Sequence, residues 1–470
     1  MYREVQSFFV ILAFAMLYLL TSCNNASMQG HIIITAVNNK ERVLEFKSPT
    51  YTGFLKSAKL LAIDPESETT SALLLTKDFY SACSPDISFD ARKMVFAGQK
   101  SDSDTWQIYE MDLSSLRYKQ LTNATENCTD PLYLPGEKIA FSKASGHDSV
   151  FKGHSLMVMQ ADGSQPQQIT FSPGSYFGST LLHDGRIITL NRQAGSETEK
   201  RNLMVMRPDG TKETLFYQSR ELDELIATGR ETVDGQILLL EKSKEGKDNL
   251  FTVSYNNPMN SKKHINGGLS GEILGLSPLT NENLLICYKA SENDNYGLYE
   301  LDYRNSGGVQ AVYTDSHYQM LDAVAVELRN RPKKIPSEVK MEEETALLLC
   351  QDINFMGFHS DSIISEDERA VKIELLGAQS SLGVVDVESD GSVYLKIKAD
   401  MPFQIQTLDK SGNIVNGPSS WINLRPNERR ACVGCHQGNE MVPENRQPLS
   451  VLKPPVLIMP QEKQLMAKSQ

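Results

Sequence analysis

The sequence predicts an all-β protein, a six-bladed β-propeller followed by a small antiparallel β-sandwich. Three observations carry this. The segments LLAID, IYEMD, LMVMQ, LMVMR, LFTVS and LYELD alternate apolar positions, and their fourth residues, Ile63, Met111, Met159, Met206, Val253 and Leu301, are spaced 48, 48, 47, 47 and 48 apart. Between them lies a second hairpin, SFDARKMVFA, LPGEKIAFS, HDGRIITL, VDGQILLL and TNENLLICY, in which turn residues precede a period-2 apolar strand. Two hairpins in each repeat of about forty to fifty residues make a four-stranded blade, which cannot bury its faces without neighbours. After residue 344 the pattern changes to short strand-like runs parted by Ser-Asp-Gly and Lys-Ser-Gly turns.

The chain has 470 residues, 47 Lys plus Arg against 59 Asp plus Glu, and a formal net charge of −12. No basic cluster offers the footprint that nucleic acid requires. With 40% hydrophobic and 23% charged residues, the chain is too apolar to be disordered. Residues 1–23 read as an export signal: Arg3 precedes FFVILAFAMLYLL, which at 13 residues is too short to span about 30 Å of hydrocarbon. Leu20-Thr21-Ser22-Cys23 resembles the lipobox of bacterial lipoproteins, and the resemblance implies that Cys23 becomes a lipid-bearing N-terminus. An ordinary secretory signal with a chance cysteine shares the same small-residue pattern. The expectation is a chain in the bacterial cell envelope, tethered to a membrane and periplasmic or surface-facing. Asn24 leaves inner versus outer membrane open.

Residues 24–39 read as a tether and 40–332 as the propeller. Six outer hairpins but five inner ones lie in this span, and residues 320–327 supply what is missing, so that both ends of the region close the ring. The ADG and PDG turns and SFDARKMVFA resemble TolB-like and WD-type periplasmic propellers, motifs that speak for a fold and hardly for a function. The polar loops 143–154 and 191–202 are of the kind through which propellers bind partners, and solvated loops explain them equally. RPKKIPSEVKMEEE, two prolines with a charge run, places a linker at 333–344. Residues 345–470 then form the sandwich domain with its C-terminal segment.

Cys432-Val433-Gly434-Cys435-His436 is the CxxCH signature of covalent c-type haem attachment. Two thiols add across the two vinyl groups of one porphyrin, and the next residue reaches the iron with an imidazole nitrogen. A zinc knuckle would need a second pair of ligands, which the sequence lacks. A redox dithiol would sit at a strand-to-helix turn, and no alternation of strands and helices surrounds the motif. The reading is one haem c, with Cys432 and Cys435 as thioethers and His436 as proximal ligand. His359, Met401 and Met441 are the nearest candidates for the sixth position, and an open, five-coordinate iron is equally consistent; that choice decides between electron transfer and small-molecule binding. His147 and His154, seven apart, read as surface histidines rather than a metal pair. Cys83, Cys128, Cys287 and Cys350 allow three disulfide pairings, with buried thiols as the alternative.

The run from Gly391 to Pro448, with PNERRACVGCH and PENRQP as its most specific pieces, resembles the middle, haem-bearing domain of the hydrazine synthase alpha subunit family. The phrases MQADGSQPQQITF, LLHDGRIITL and MRPDG extend the likeness to the propeller. The resemblance implies a propeller feeding a β-domain that binds one haem c through Cys432, Cys435 and His436. The synthase subunit carries a further haem domain after the middle one, whereas 34 residues follow His436 here and CxxCH occurs once. In the synthase a tyrosine shortly after the motif serves the iron; the residue four after His436 is Glu440. Hydrazine formation is therefore not carried over. Three functions follow. The first is a lipid-anchored monohaem cytochrome that relays electrons, its propeller docking a redox protein. The second is a haem enzyme, then an oxidoreductase, or a sensor whose open iron meets a small nitrogen- or oxygen-containing molecule. The third is a non-redox surface binding module in which haem is a staple.

Overall fold

The computed structural model describes residues 28–39, 56–67, 71–146, 152–193, 201–219, 223–265, 269–304, 308–355, 369–434 and 446–459. Cys23, His147, His359, Cys435, His436 and Met441 lie outside them. Apart from the 3-10 turn Leu449–Leu452, the regular elements described are all strands.

The repeat becomes a series of four-stranded antiparallel units, each laid down in chain order from its inner strand outwards. The inner strands are Ser81–Ile87, Cys128–Leu134, Gly174–Leu181, Glu224–Glu231 and Glu272–Pro278. One unit is made differently. Its order runs from Tyr318–Ala325 through Ile32–Asn38 and Lys59–Ile63 to Leu73–Leu74, so a strand from the far end of the region pairs with the first. Ile33 lies between Ala62 on one side and Val324 on the other. The third and fourth units also touch through one parallel bridge, His154 to Ser175, which joins them into a continuous eight-stranded sheet.

The closure at residues 318–325 follows the expectation from sequence, but the tether does not. Residues 24–39 include the strand Ile32–Asn38, so the ring begins before residue 40. Its segment IIITAV is buried on both faces between two partners, and a strand covered on both sides carries no period-2 alternation to betray it.

Apolar packing links the units in a cycle. Six clusters each draw on two neighbouring units: Phe96 and Met111 pack with Leu60 and Ile33, Val95 and Ile108 with Phe141, and Ile187 and Met206 with Leu156. Leu203 then packs with Phe251, Leu240 with Ile286, and Leu298 with Ile34. The fourth residues of the repeat, from Ile63 to Leu301, are all buried here, which is the physical reason for their even spacing. The protein is thus all-β, with a propeller-like ring.

Residues 333–344 contain no strand and run against the ring: Asp209 Oδ2 accepts the Ser337 hydroxyl at 3.0 Å and the Glu338 N–H at 2.8 Å, and Arg207 pairs with Glu338. Beyond lie two four-stranded sheets around one core that includes Leu348, Leu375, Leu395 and Phe403. They are not purely antiparallel, as the sequence suggested. Arg429–Cys432 pairs parallel to Thr345–Cys350, and Val456–Ile458 pairs parallel to Val393–Lys398. Both edge strands return after the facing sheet has been built, and such crossovers, unlike hairpins, deliver a strand in the same direction as its neighbour.

Candidate functional site

The described part of the CxxCH segment begins on the edge strand Arg429–Cys432, and four charged residues account for its position. Glu428, at 0% exposure, accepts the Lys212 N–H and the Arg425 N–H, each at 2.9 Å, and the Arg430 guanidinium at 2.8 Å. Lys212 belongs to the ring, and its Nζ also donates to the Arg429 carbonyl. Three neutral or cationic donors therefore hold one buried carboxylate at the start of the motif strand, which is what a buried charge requires.

Arg425 continues the seam. Its Nη1 lies 3.1 Å from Asp400 Oδ1 and donates to the Gln168 carbonyl at 2.9 Å, and its guanidinium stands 4.9 Å above the Phe171 ring. Burial raises the Asp400 carboxyl to about 6 against the pull of Arg425, with Glu428 adding to the rise. Ser172 donates to Asn423 at 2.9 Å. Deeper in the ring, Tyr176 donates to Glu213, whose carboxyl is raised by burial; Tyr176 and Arg430 draw it down.

The far side of the segment is tied as well. Arg446, from PENRQP, donates to the Gln351 carbonyl at 3.1 Å and the Asp390 carbonyl at 2.9 Å, and pairs with Asp390 Oδ2 at 3.2 Å. Burial pushes the Asp390 carboxyl up, but the Leu449 N–H, Ser392 and Arg446 outweigh it and hold the group below its usual range. Gln351 N–H in turn donates to the Cys432 carbonyl at 3.0 Å. On either side of residues 435–445, Cys432 and Arg446 are therefore both bonded to Gln351 at the end of the strand Thr345–Cys350.

Cys432 is half-buried and lines an apolar cavity of about 80 Å³ with Leu348, Cys350, Ile373, Val393 and Ile405. Gly434 is required there: a Cβ would stand 2.3 Å from the Phe355 carbonyl oxygen. Met401 packs against the sandwich core and is not among the residues lining this cavity. Cys435, His436, His359 and Met441 lie outside the described residues. Cys83, Cys128, Cys287 and Cys350 are buried thiols.

His154 is not a surface histidine but a buried one, within 3.3 Å of the Ser175 hydroxyl, and burial lowers its pKa. The strand Ile187–Gln193 and the strand Arg201–Met206 reach into the loop region 191–202, so Arg201 is a buried strand residue that donates to the Leu225 carbonyl at 3.0 Å and pairs with Glu224 at 2.9 Å. A cavity of about 130 Å³ lies where the inner strands converge. Its Asp130 accepts Ser84 at 3.0 Å and the Gly178 N–H at 3.3 Å, so the carboxylate serves the fold. Among the described residues no group of three or more His, Cys, Asp and Glu is placed to hold a metal.

Glu428, Arg430 and Arg446 were visible in the sequence only as letters of a motif. Their partners, Lys212 and the carbonyl of Gln351 among them, are set by tertiary contact.

Residues 304–437 match the family of the hydrazine synthase alpha subunit middle domain, a span that ends one residue beyond His436. The hydrazine synthase subunit alpha of Kuenenia stuttgartiensis is 21% identical over 500 residues, covering 79% of this chain. The chain spans 62% of that relative's length. The solved hydrazine synthase of the same organism superposes with a TM-score of 0.77 at 18% identity, over 90% of this chain and 71% of the other. TolB from Acinetobacter baumannii gives a TM-score of 0.42 at 16% identity, over 66% and 71% of the two chains. With the fold shared and the middle-domain sequence matched, the chain is a distant relative of the hydrazine synthase alpha subunit.

Proposed function

We propose that the chain is an exported, lipid-anchored monohaem c-type protein that transfers electrons, its ring acting as a six-bladed propeller on which a redox partner docks. The observation that carries the reading is CxxCH at the end of a strand clamped on both flanks, by Glu428 before it and Arg446 after it. Cys432 and Cys435 would hold the porphyrin and His436 the iron, and a haem there would supply a one-electron couple. The residues fit such a group: Cys432 opens onto an apolar lining, suited to a porphyrin edge, and Gly434 leaves no side chain in the tight loop. The chain's own part is to fix the attachment strand against the ring and to keep water from the apolar side. Cys23 would carry the lipid, placing the protein in the cell envelope. Among the described residues no helix is long and apolar enough to cross a membrane.

A second reading draws on the cavity beside Cys432, which is the kind of space a small apolar molecule enters on its way to an open iron. One experiment separates the two: optical spectra of the chain matured in a haem-exporting host, oxidised, reduced, and reduced with CO. A low-spin spectrum indifferent to CO supports electron transfer. A high-spin spectrum that shifts with CO moves the reading to small-molecule chemistry, and the absence of covalent haem ends both.

A further inference from the structure

Cys350 has no place in the haem reading, yet it is the direct partner of Cys432. In the parallel ladder the register runs Leu347 to Arg429, Leu348 to Arg430, Leu349 to Ala431 and Cys350 to Cys432. Adjacent strands lie about 4.8 Å apart, and a disulfide asks for Cα atoms roughly 4.4–6.8 Å apart. In-register residues of parallel neighbours project to the same side of the sheet, and both cysteines line the same cavity. The backbone is held at that register from both sides, by Leu347 N–H on the Glu428 carbonyl at 2.8 Å before the pair and Gln351 N–H on the Cys432 carbonyl at 3.0 Å after it.

We propose that Cys350 and Cys432 form a reversible disulfide in the haem-free protein, a redox lock on the first attachment thiol. The step is dithiol–disulfide exchange: both Sγ–H bonds are lost and one S–S bond forms, while the two electrons and two protons pass to a small-molecule disulfide, which leaves as two thiols. Locked, Cys432 has no thiol to add to a vinyl group; reduction restores it. The other described cysteines are poor competitors. Cys83 and Cys128 lie in one core of the ring and Cys287 in another, whereas Cys350 and Cys432 share the core of the sandwich. The consequence for haem loading rests on the function proposed above, whereas the disulfide itself rests on the register alone.

The test uses the full chain carrying Cys435→Ser, produced without haem, so that the neighbouring motif cysteine cannot compete. After exposure to oxidised glutathione, the protein is digested without reduction and mapped by mass spectrometry. The expected product is the Cys350 peptide joined to the Cys432 peptide and separated by dithiothreitol. Alkylation of both cysteines, or separate glutathione adducts on each, would overturn the proposal. In the otherwise unaltered chain matured under oxidising conditions, Cys350→Ser raises the haem-loaded fraction about twofold or more. A cross-link with no haem in either chain leaves the disulfide standing and removes the haem reading, while haem in both without a cross-link does the reverse.

Discussion

In the ring every apolar core belongs to two units at once, while in the C-terminal region one core belongs to its own two sheets. A unit of the ring taken alone would expose both faces; the sandwich encloses its interior by itself. The contacts described between the two regions are of another kind, polar and charged: Glu428 with Lys212, Arg425 with Gln168, Ser172 with Asn423. Cohesion within each region is thus apolar and non-directional, whereas the seam that orients the motif strand is a set of directed bonds. Such a seam sets where Cys432 sits relative to the ring more than it sets whether either region folds.

The strongest way to break the contrast is Glu428→Ala. It strands the partly buried Arg430 guanidinium and two backbone donors that now share one buried carboxylate, at a cost of about 3–5 kcal/mol, and urea unfolding should show the sandwich transition moving to lower denaturant. A change below about 1 kcal/mol would mean that the seam bears no load. Next in size are Met111→Ala in the ring and Leu395→Ala in the sandwich, each costing about 2–5 kcal/mol. The comparison requires Met111→Ala to shift the ring's transition and leave the sandwich's in place, and the converse for Leu395→Ala. Equal shifts of a single transition in both variants would merge the two regions into one cooperative body.

A smaller effect is set by pH. Asp400 titrates near 6 in the folded protein and near 3.8 when unfolded. Between those values the folded state holds the extra proton, so this group's contribution to stability is lost as pH rises from about 4 to about 6. Asp400→Asn should therefore gain melting temperature on the wild type over that window, and parallel curves for the two proteins would remove the seam's pH sensitivity. Smallest of all, Ser172→Ala deletes one hydrogen bond to Asn423 and should cost about 0.5–1.5 kcal/mol by the same unfolding assay.

The ring was legible because its repeat records a repeated burial: Met111, Met159 and Met206 recur at nearly even spacing, 48 and then 47 residues, since each occupies the same place between neighbouring units. The first strand was not, because Ile32–Asn38 is covered on both faces and reads as an apolar stretch without rhythm. Strand direction was hidden for a similar reason, since alternation in Val456–Ile458 is the same whichever way its neighbour runs. At the candidate site CxxCH was plain from residue type and spacing. The clamp was not, because Glu428 and Lys212 stand 216 residues apart and only the docking of sandwich on ring brings them together.

The paired ends of the ring carry a consequence for how the protein is made. Asn39 and Gln319, 280 residues apart, are bonded across the junction, so the first unit stays without its innermost strand until almost the whole ring has left the ribosome and, for an exported chain, crossed the membrane. Through that interval Ile32–Asn38 presents an unpaired edge and an uncovered apolar stretch, which is where a nascent chain meets its neighbours or its chaperones. Closure is a late, long-range event, slow by the nature of such contacts. A proteolytic cut after residue 332 spares the clasp, while a chain halted at residue 304 holds nearly every strand of the ring and cannot shut it.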